Sequence, residues 1–264
     1  GVEQTSGSVI LVGAGPGDPE LLTVRAVRAV QSADVILIDD LVSPQVLDFA
    51  RREARKMMVG KTGHGPACKQ SEINALMIKL AKAGKRVVRL KGGDPMIFGR
   101  AGEEIAACRA ARIPVEVVPG ISAAQGAAAR LLVSLTHRAQ ARRLQYVTGH
   151  DRDGKLPADI DWRALADPAA TTIVYMPKKT LRELSVRAIA QGLEAATPAV
   201  AIANATRPDE TIVAGTIADI ADRIEADAPD GPLLVMIGKV LAELVESRTA
   251  DLSPLMPAKA GIQS

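Results

Sequence analysis

The sequence predicts an α/β fold made of two α/β domains. The N-terminal one is built on a mainly parallel sheet with helices on both faces, and the C-terminal one on a mixed sheet. Three observations predict it. Short β-branched apolar runs alternate with longer amphipathic stretches through the first half, the pattern of a parallel sheet with crossover helices. The runs are almost continuously apolar, as strands covered on both faces must be. In the second half two runs, 199–205 and 210–215, are separated only by TRPD, a hairpin spacing that brings antiparallel pairing into the sheet.

In chain order, SVILVG (8–13), DVILID (34–39), KMMVG (56–60), RVVRL (86–90) and VEVVP (115–119) read as strands. Between them, Pro19 to Ala33, Ser43 to Arg52, Glu72 to Ala83 and Ala101 to Arg112 read as amphipathic helices. The second half carries strands RLQYVTG (143–149), TTIVYM (171–176), AVAIANA (199–205), ETIVAG (210–215) and LLVMIG (233–238). The expected boundaries are a domain over 8–120, a connecting segment over 121–142 and a second domain over 143–246. Residues 247–264, with two prolines and little periodicity, read as a loose tail.

Composition narrows the function. The chain has 264 residues, 47% hydrophobic and 24% charged, values that exclude wholesale disorder. Aromatic residues make up only 2%, which argues against base-stacking platforms and aromatic sugar clefts. A net charge of +3 is far from the basic stripe of a nucleic-acid binder. Two cysteines, Cys68 and Cys108, form no disulfide framework and point to a reducing compartment. No apolar stretch reaches the roughly 18 residues of a membrane span, and GVEQTSGS lacks the basic and apolar regions of a secretory signal. The expectation is a cytoplasmic protein with no membrane and no nucleic-acid partner.

Strand-end turns are where parallel sheets bind ligands. The first strand ends in Gly13-Ala14-Gly15-Pro16-Gly17-Asp18, close to a dinucleotide fingerprint, with Asp39-Asp40 ending the second strand. Asp18 puts a carboxylate where a pyrophosphate would approach, and Pro16 removes a backbone donor. Asp18 before Pro19 is also a good helix start in its own right. The same Gly-Asp-Pro recurs in Lys91-Gly92-Gly93-Asp94-Pro95. Close backbone approach beside a carboxylate suits an ammonium or sulfonium better than a phosphate.

VGAGPGDPELLTVRA, LVSPQVL, RLKGGDPMIFGRAGEE, VVPGISAA, LTHR, YVTGH and YMPKKTL, in this order, resemble the tetrapyrrole methylases, class III S-adenosylmethionine-dependent methyltransferases. Within that superfamily they are most similar to the uroporphyrinogen-III C-methyltransferases, over about residues 8 to 240. The resemblance implies methylation of uroporphyrinogen III at C2 and C7 to give precorrin-2, which feeds sirohaem, cobalamin or haem d1. It implies S-adenosylmethionine as the donor, leaving as S-adenosylhomocysteine, an active site in the cleft between the domains, and a homodimer.

The resemblance also implies residue roles. Pro16, Gly92, Gly93, Asp94, Ile97, Ser122, Ala123, Met176 and Ala205 are expected at the adenosylmethionine site. At position 205 the family usually has Gly. Asp39 and Lys61 match positions proposed for proton handling. Arg100 matches a second such proposal, but an arginine is an improbable base, being always protonated, and reads better as an anchor for a substrate carboxylate. Glu103 at i+3 would orient it, while Glu103 and Glu104 also read as ordinary first-turn acids. Arg138 in LTHR and Met176 are expected at the tetrapyrrole.

The residue chemistry agrees with this reading. Methyl transfer from a sulfonium needs positioning and one base, and no metal. His64 and Cys68 have ligand-like spacing but sit in the loop-like GHGPACK. An eight-carboxylate substrate needs local positive charge, and RLLVSLTHRAQARR (130–143) holds Arg130, Arg138, Arg142 and Arg143 with no acid. A solvated basic loop would look the same. Three other readings stay open: methylation of a later corrin precursor, an NAD-dependent oxidoreductase using Gly13 to Asp39, and a non-catalytic adenosylmethionine sensor.

Overall fold

The structure, a computed structural model, describes residues 7–60 and 68–250. The chain folds into two units. The first comprises residues 1–130, 203–211 and 230–232; the second comprises 131–202, 212–229 and 233–264.

The first unit holds β1 (Ser8–Gly13), α1 (Val24–Ser32), β2 (Val35–Ile38), β3 (Arg55–Met58), α2 (Gln70–Lys82), β4 (Arg86–Lys91), α3 (Ala101–Ala110), β5 (Val115–Val118) and α4 (Ala123–Leu131). Its sheet has the order β3-β2-β4-β1-β5, with every pairing parallel. Strand side chains alternate between two cores. Ile10, Val12, Ile36, Ile38, Val88 and Leu90 meet Ala26, Ala29 and Val30 of α1 on one face. Val9, Leu11, Val35, Leu37 and Val87 meet Ile73 and Met77 of α2 and Cys108 of α3 on the other. Two buried faces explain why the strands read as unbroken apolar runs.

Two expected helices differ. The stretch Pro19 to Ala33 is split: a 3-10 turn spans Pro19–Leu21, and α1 starts afresh at Val24, capped by Thr23 Oγ1, which accepts from Ala26 N at 3.0 Å. Thr23 is a second N-cap inside what reads as one helix. Ser43 to Arg52 forms only a 3-10 segment, Pro44–Phe49, which buries Val46. Its apolar spacing serves a tighter helix of about three residues per turn.

The second unit is organised on a sheet of order β6-β7-β10-β8-β9. These strands are β6 (Arg143–Thr148), β7 (Ala170–Tyr175), β8 (Pro198–Ala203), β9 (Thr211–Thr216) and β10 (Leu233–Ile237). β6 pairs parallel with β7 and β10 pairs antiparallel with it, so the sheet is mixed as expected. Helices α5 (Trp162–Leu165), α6 (Leu181–Ala190), α7 (Ile220–Asp227) and α8 (Ala242–Ala250) complete the element order. Residues 247–250, expected in the tail, continue α8 and so are helical; the rest of that tail lies outside the described residues. No helix among the described residues is long and apolar enough to cross a membrane.

Candidate active site

Because all five strands of the first sheet run parallel, their carboxyl ends share one edge. β1 and β4 are neighbours there, so the two Gly-Asp-Pro turns meet. Gly93 N donates to Gly15 O at 2.8 Å and Gly15 N to Gly93 O at 3.2 Å. Both residues have positive φ, 71° for Gly15 and 64° for Gly93, which glycine adopts without strain. The turn after β5 closes on the same place. A Cβ on Gly13 would lie 2.6 Å from Gly120 N, and one on Gly120 would run into Gly93 O. Gly13 and Gly120 therefore let backbone press on backbone, a use distinct from admitting a ligand.

Each turn spends part of its aspartate on itself. Asp18 Oδ1 accepts from Glu20 N at 2.9 Å, the helix-start role, and Asp94 Oδ1 accepts from Met96 N at 2.8 Å. Pro16 packs on α4, where a side chain in place of Gly126 would come within 2.7 Å of its Cγ. Gly93 faces the start of α4: its Cβ position is 3.7 Å from Ser122 Cα and 3.9 Å from Ala123 N. Gly92 backs onto Leu41, and Ile97 N donates to Asp94 O at 3.3 Å.

Ser122 heads α4 with half of a capping box. Its backbone N–H donates to Gln125 Oε1 at 3.0 Å, yet its own hydroxyl, on a residue 2% exposed, has no hydrogen-bond partner among the described residues. A serine in this position ordinarily caps the first turn. A buried hydroxyl left without a partner in a built turn is rare in folded chains and calls for an explanation.

Asp39 follows β2 on the same edge. Its Oδ1 lies 2.7 Å from Arg89 Nη2. Arg89 in turn pairs through Nε with Glu104 Oε2 at 2.7 Å, and Glu104 Oε1 takes Lys91 Nζ at 2.5 Å. The Arg89, Glu104 and Lys91 side chains are 2%, 0% and 5% exposed, while Asp39 is 21% exposed. Burial works against the charge on Arg89, but Asp39 and Glu104 outweigh it and raise its already high pKa. Burial and Glu104 also push the Cys108 thiol up, so it is a core residue and no nucleophile.

This edge also removes the geometry of the oxidoreductase reading. A dinucleotide fold has its first two strands side by side, order 3-2-1-4-5-6. Here β4 lies between β1 and β2, and the carboxylate at the end of β2 is taken by an arginine of that intervening strand.

Arg100 caps α3 with φ of 56°, and its Nε lies 2.7 Å from Glu103 Oε2, the expected i,i+3 pair, both exposed. Ala205, read from the sequence as the end of a strand, lies just beyond β8 and is buried in the first unit. There Thr206 Oγ1 accepts from Asp18 N at 3.0 Å, Thr206 N donates to Glu210 Oε2 at 2.7 Å, and Arg207 lies over Gly17 and donates to Leu41 O. Met176 and Arg138 belong to the second unit. Met176 follows β7 in a left-handed conformation, φ 54°, with an exposed side chain. Lys61 and His64 lie outside the described residues.

The acid-free arginine cluster is corrected. Arg130 pairs with Glu210 at 3.1 Å and Arg143 with Asp167 at 3.0 Å, while Arg142 Nε donates to Arg138 O at 2.9 Å. The acids come from distant sequence, so local composition hides them. Among the described residues only Arg138 of the four has a side chain with no hydrogen bond or ion pair to another group.

Arg89, Lys91 and Arg207 were not singled out from the sequence. Arg89 and Lys91 did leave a signal: two cations at i,i+2 on a strand buried on both faces must share one face and find an acid there. Arg207 left none.

Residues 8–221 match the family profile described as Tetrapyrrole (Corrin/Porphyrin) Methylases. The chain belongs to the tetrapyrrole methylase family. The methylase is 36% identical to the uroporphyrin-III C-methyltransferase of Thermus thermophilus, solved with S-adenosylhomocysteine, over 90% of this chain and 100% of that one, with a TM-score of 0.76. A cobalt precorrin-4 methyltransferase has a TM-score of 0.79 at 27% identity, over 89% of this chain and 95% of that one. The siroheme synthase of Nitrosococcus oceani is 46% identical over 94% of this chain and 53% of its own length. The methylase thus spans about half the length of the curated relatives it matches.

Proposed function

We propose that the methylase transfers two methyl groups from S-adenosylmethionine to C2 and C7 of uroporphyrinogen III, giving precorrin-2 for sirohaem or cobalamin synthesis. The observation that carries this reading is that sequence and fold likeness part company. The precorrin-4 enzyme matches the backbone at least as well, 0.79 against 0.76, yet the uroporphyrin-III enzyme shares 36% of residues against 27%. Backbone is common to the superfamily, whereas substrate choice lives in side chains.

The donor fits the residues present. The idle Ser122 hydroxyl, the carboxylate of Asp94 and the glycine backbone at Gly92 and Gly93 would hold its ribose and amino-acid end, with Pro16, Ile97, Ala123, Met176 and Ala205 as the apolar surround. When bound, S-adenosylmethionine supplies an electrophilic methyl group, and the C–S electron pair stays with the departing thioether. Asp39 accepts the proton that the ring must lose, using the oxygen not engaged by Arg89. Arg100, oriented by Glu103, and Arg138 anchor substrate carboxylates, and Lys61 shares in proton handling. On this reading the enzyme is a cytoplasmic homodimer.

Anaerobic incubation with uroporphyrinogen III and methyl-labelled donor should place two labels on each macrocycle. Folded protein that labels precorrin-4 but leaves uroporphyrinogen untouched would overturn the reading. Asp39→Asn should lower kcat by about 100-fold or more, with S-adenosylhomocysteine affinity nearly unchanged by calorimetry.

A further inference from the structure

Four charges lie in a row at the carboxyl edge of the first sheet: Lys91, Glu104, Arg89 and Asp39, joined by contacts of 2.5, 2.7 and 2.7 Å. They sum to zero. Arg89 and Lys91 stand two apart on β4 and so share the face that α3 covers, and α3 supplies Glu104. The row has a closed end and an open end. Glu104 is fully buried and held by two cations, whereas Asp39 is the one member with substantial exposure. Among the described residues Arg89 Nη1 has no hydrogen-bond partner, and its planar head is held by the two carboxylates.

Such a row is a poor device for stability, since buried ion pairs exchanged for apolar side chains of like volume are often neutral or favourable. It is a good device for direction. A surface aspartate samples several rotamers; one whose oxygen meets a guanidinium clamped from behind does not.

We propose that Glu104 and Lys91 are positioning residues that act through Arg89 to hold the Asp39 carboxylate in one orientation, with its second oxygen turned to the reacting ring. This rests on Asp39 as the proton acceptor. Glu104 fixes the guanidinium along its Nε edge, Lys91 keeps Glu104 from turning away, and the guanidinium presents Nη2 to Asp39. Loss of that hold leaves Asp39 present but misaimed.

The test uses the full chain and four proteins: wild type, Asp39→Asn, the charge-balanced pair Glu104→Gln with Lys91→Met, and the triple combination. Removing both partners together keeps the buried charge at zero, so the pair folds where Glu104→Gln alone fails. The pair should melt cooperatively and bind S-adenosylhomocysteine within about twofold of wild type. Its kcat should fall about 10- to 100-fold, with KM for uroporphyrinogen III changed less than about threefold, because misplacement near the reacting atoms acts on the chemical step. In the Asp39→Asn background the pair should cost less than about twofold more, since there is no base left to aim. A kcat equal to wild type in the folded pair, or losses that multiply in the triple variant, would overturn the positioning role. Full activity in Asp39→Asn alone would instead remove the acceptor role itself, and the proposal with it.

Discussion

Two stretches of this chain carry arginines that could serve an acidic substrate, and they are built in opposite ways. In RLKGGDP the cations Arg89 and Lys91 sit inside a strand, sealed under α3 and matched by Asp39 and Glu104. In the segment 130–143 the arginines are exposed, and two of the four are matched by acids, the partly exposed Asp167 and the largely buried Glu210. By local count the second stretch looks like the functional one. Burial reverses that order. A charge in the interior must be answered in full and in fixed geometry, whereas a charge at the surface is answered by water.

The sharpest way to break this contrast is to delete one cation from each stretch. Arg89→Met leaves the buried Glu104 and the partly exposed Asp39 each short of a partner and should destabilise the fold by about 3–5 kcal/mol. Arg143→Met, which removes an exposed pair, should cost under about 1 kcal/mol. Urea unfolding of the two variants reads the difference directly, and equal losses would erase the contrast.

A smaller effect separates fold from ligand at the same edge. Ser122→Ala removes a hydroxyl that holds nothing in the free protein, so stability should change by less than about 0.5 kcal/mol. Affinity for S-adenosylhomocysteine should fall about tenfold, the worth of one hydrogen bond. Calorimetry with the same protein used for the melt tests both halves of that expectation.

The smallest expected effect concerns acid. Asp34 has its carboxyl held below the usual range by the Arg86 backbone N–H and by Arg51. Such a group contributes stability that is fully present above the unfolded carboxylate value, about pH 4, and lost as pH falls through its lower folded value. Asp34→Asn should therefore narrow the gap in melting temperature between pH 6 and pH 3 without altering its sign. The pair is exposed, so the change should be slight beside that of Arg89→Met.

Much of the fold was legible in the sequence, because strands buried on both faces have no freedom to be polar. The boundaries of β1, β4 and β5 follow the apolar runs within a residue. The helices were less legible where caps or tight turns interrupt a periodic pattern, as Thr23 does before α1. The site was legible where motif residues are local, as with Gly93, Asp94 and the Arg100–Glu103 pair. It was illegible where partners are far apart in sequence. Glu210 neutralises Arg130 from 80 residues away, and no window of composition contains both.

The sequence by itself determined the fold class, the mixed character of the second sheet and the family, because each rests on periodicity or on ordered motifs. Tertiary structure decided what the scarce polar groups do. It made Gly13 and Gly120 a backbone contact, left the Ser122 hydroxyl idle, and joined Asp39 to Lys91 through Arg89 and Glu104. The physical reason is that burial along a strand is written in its own residues, whereas the partner of a buried charge is set by which strands and helices become neighbours.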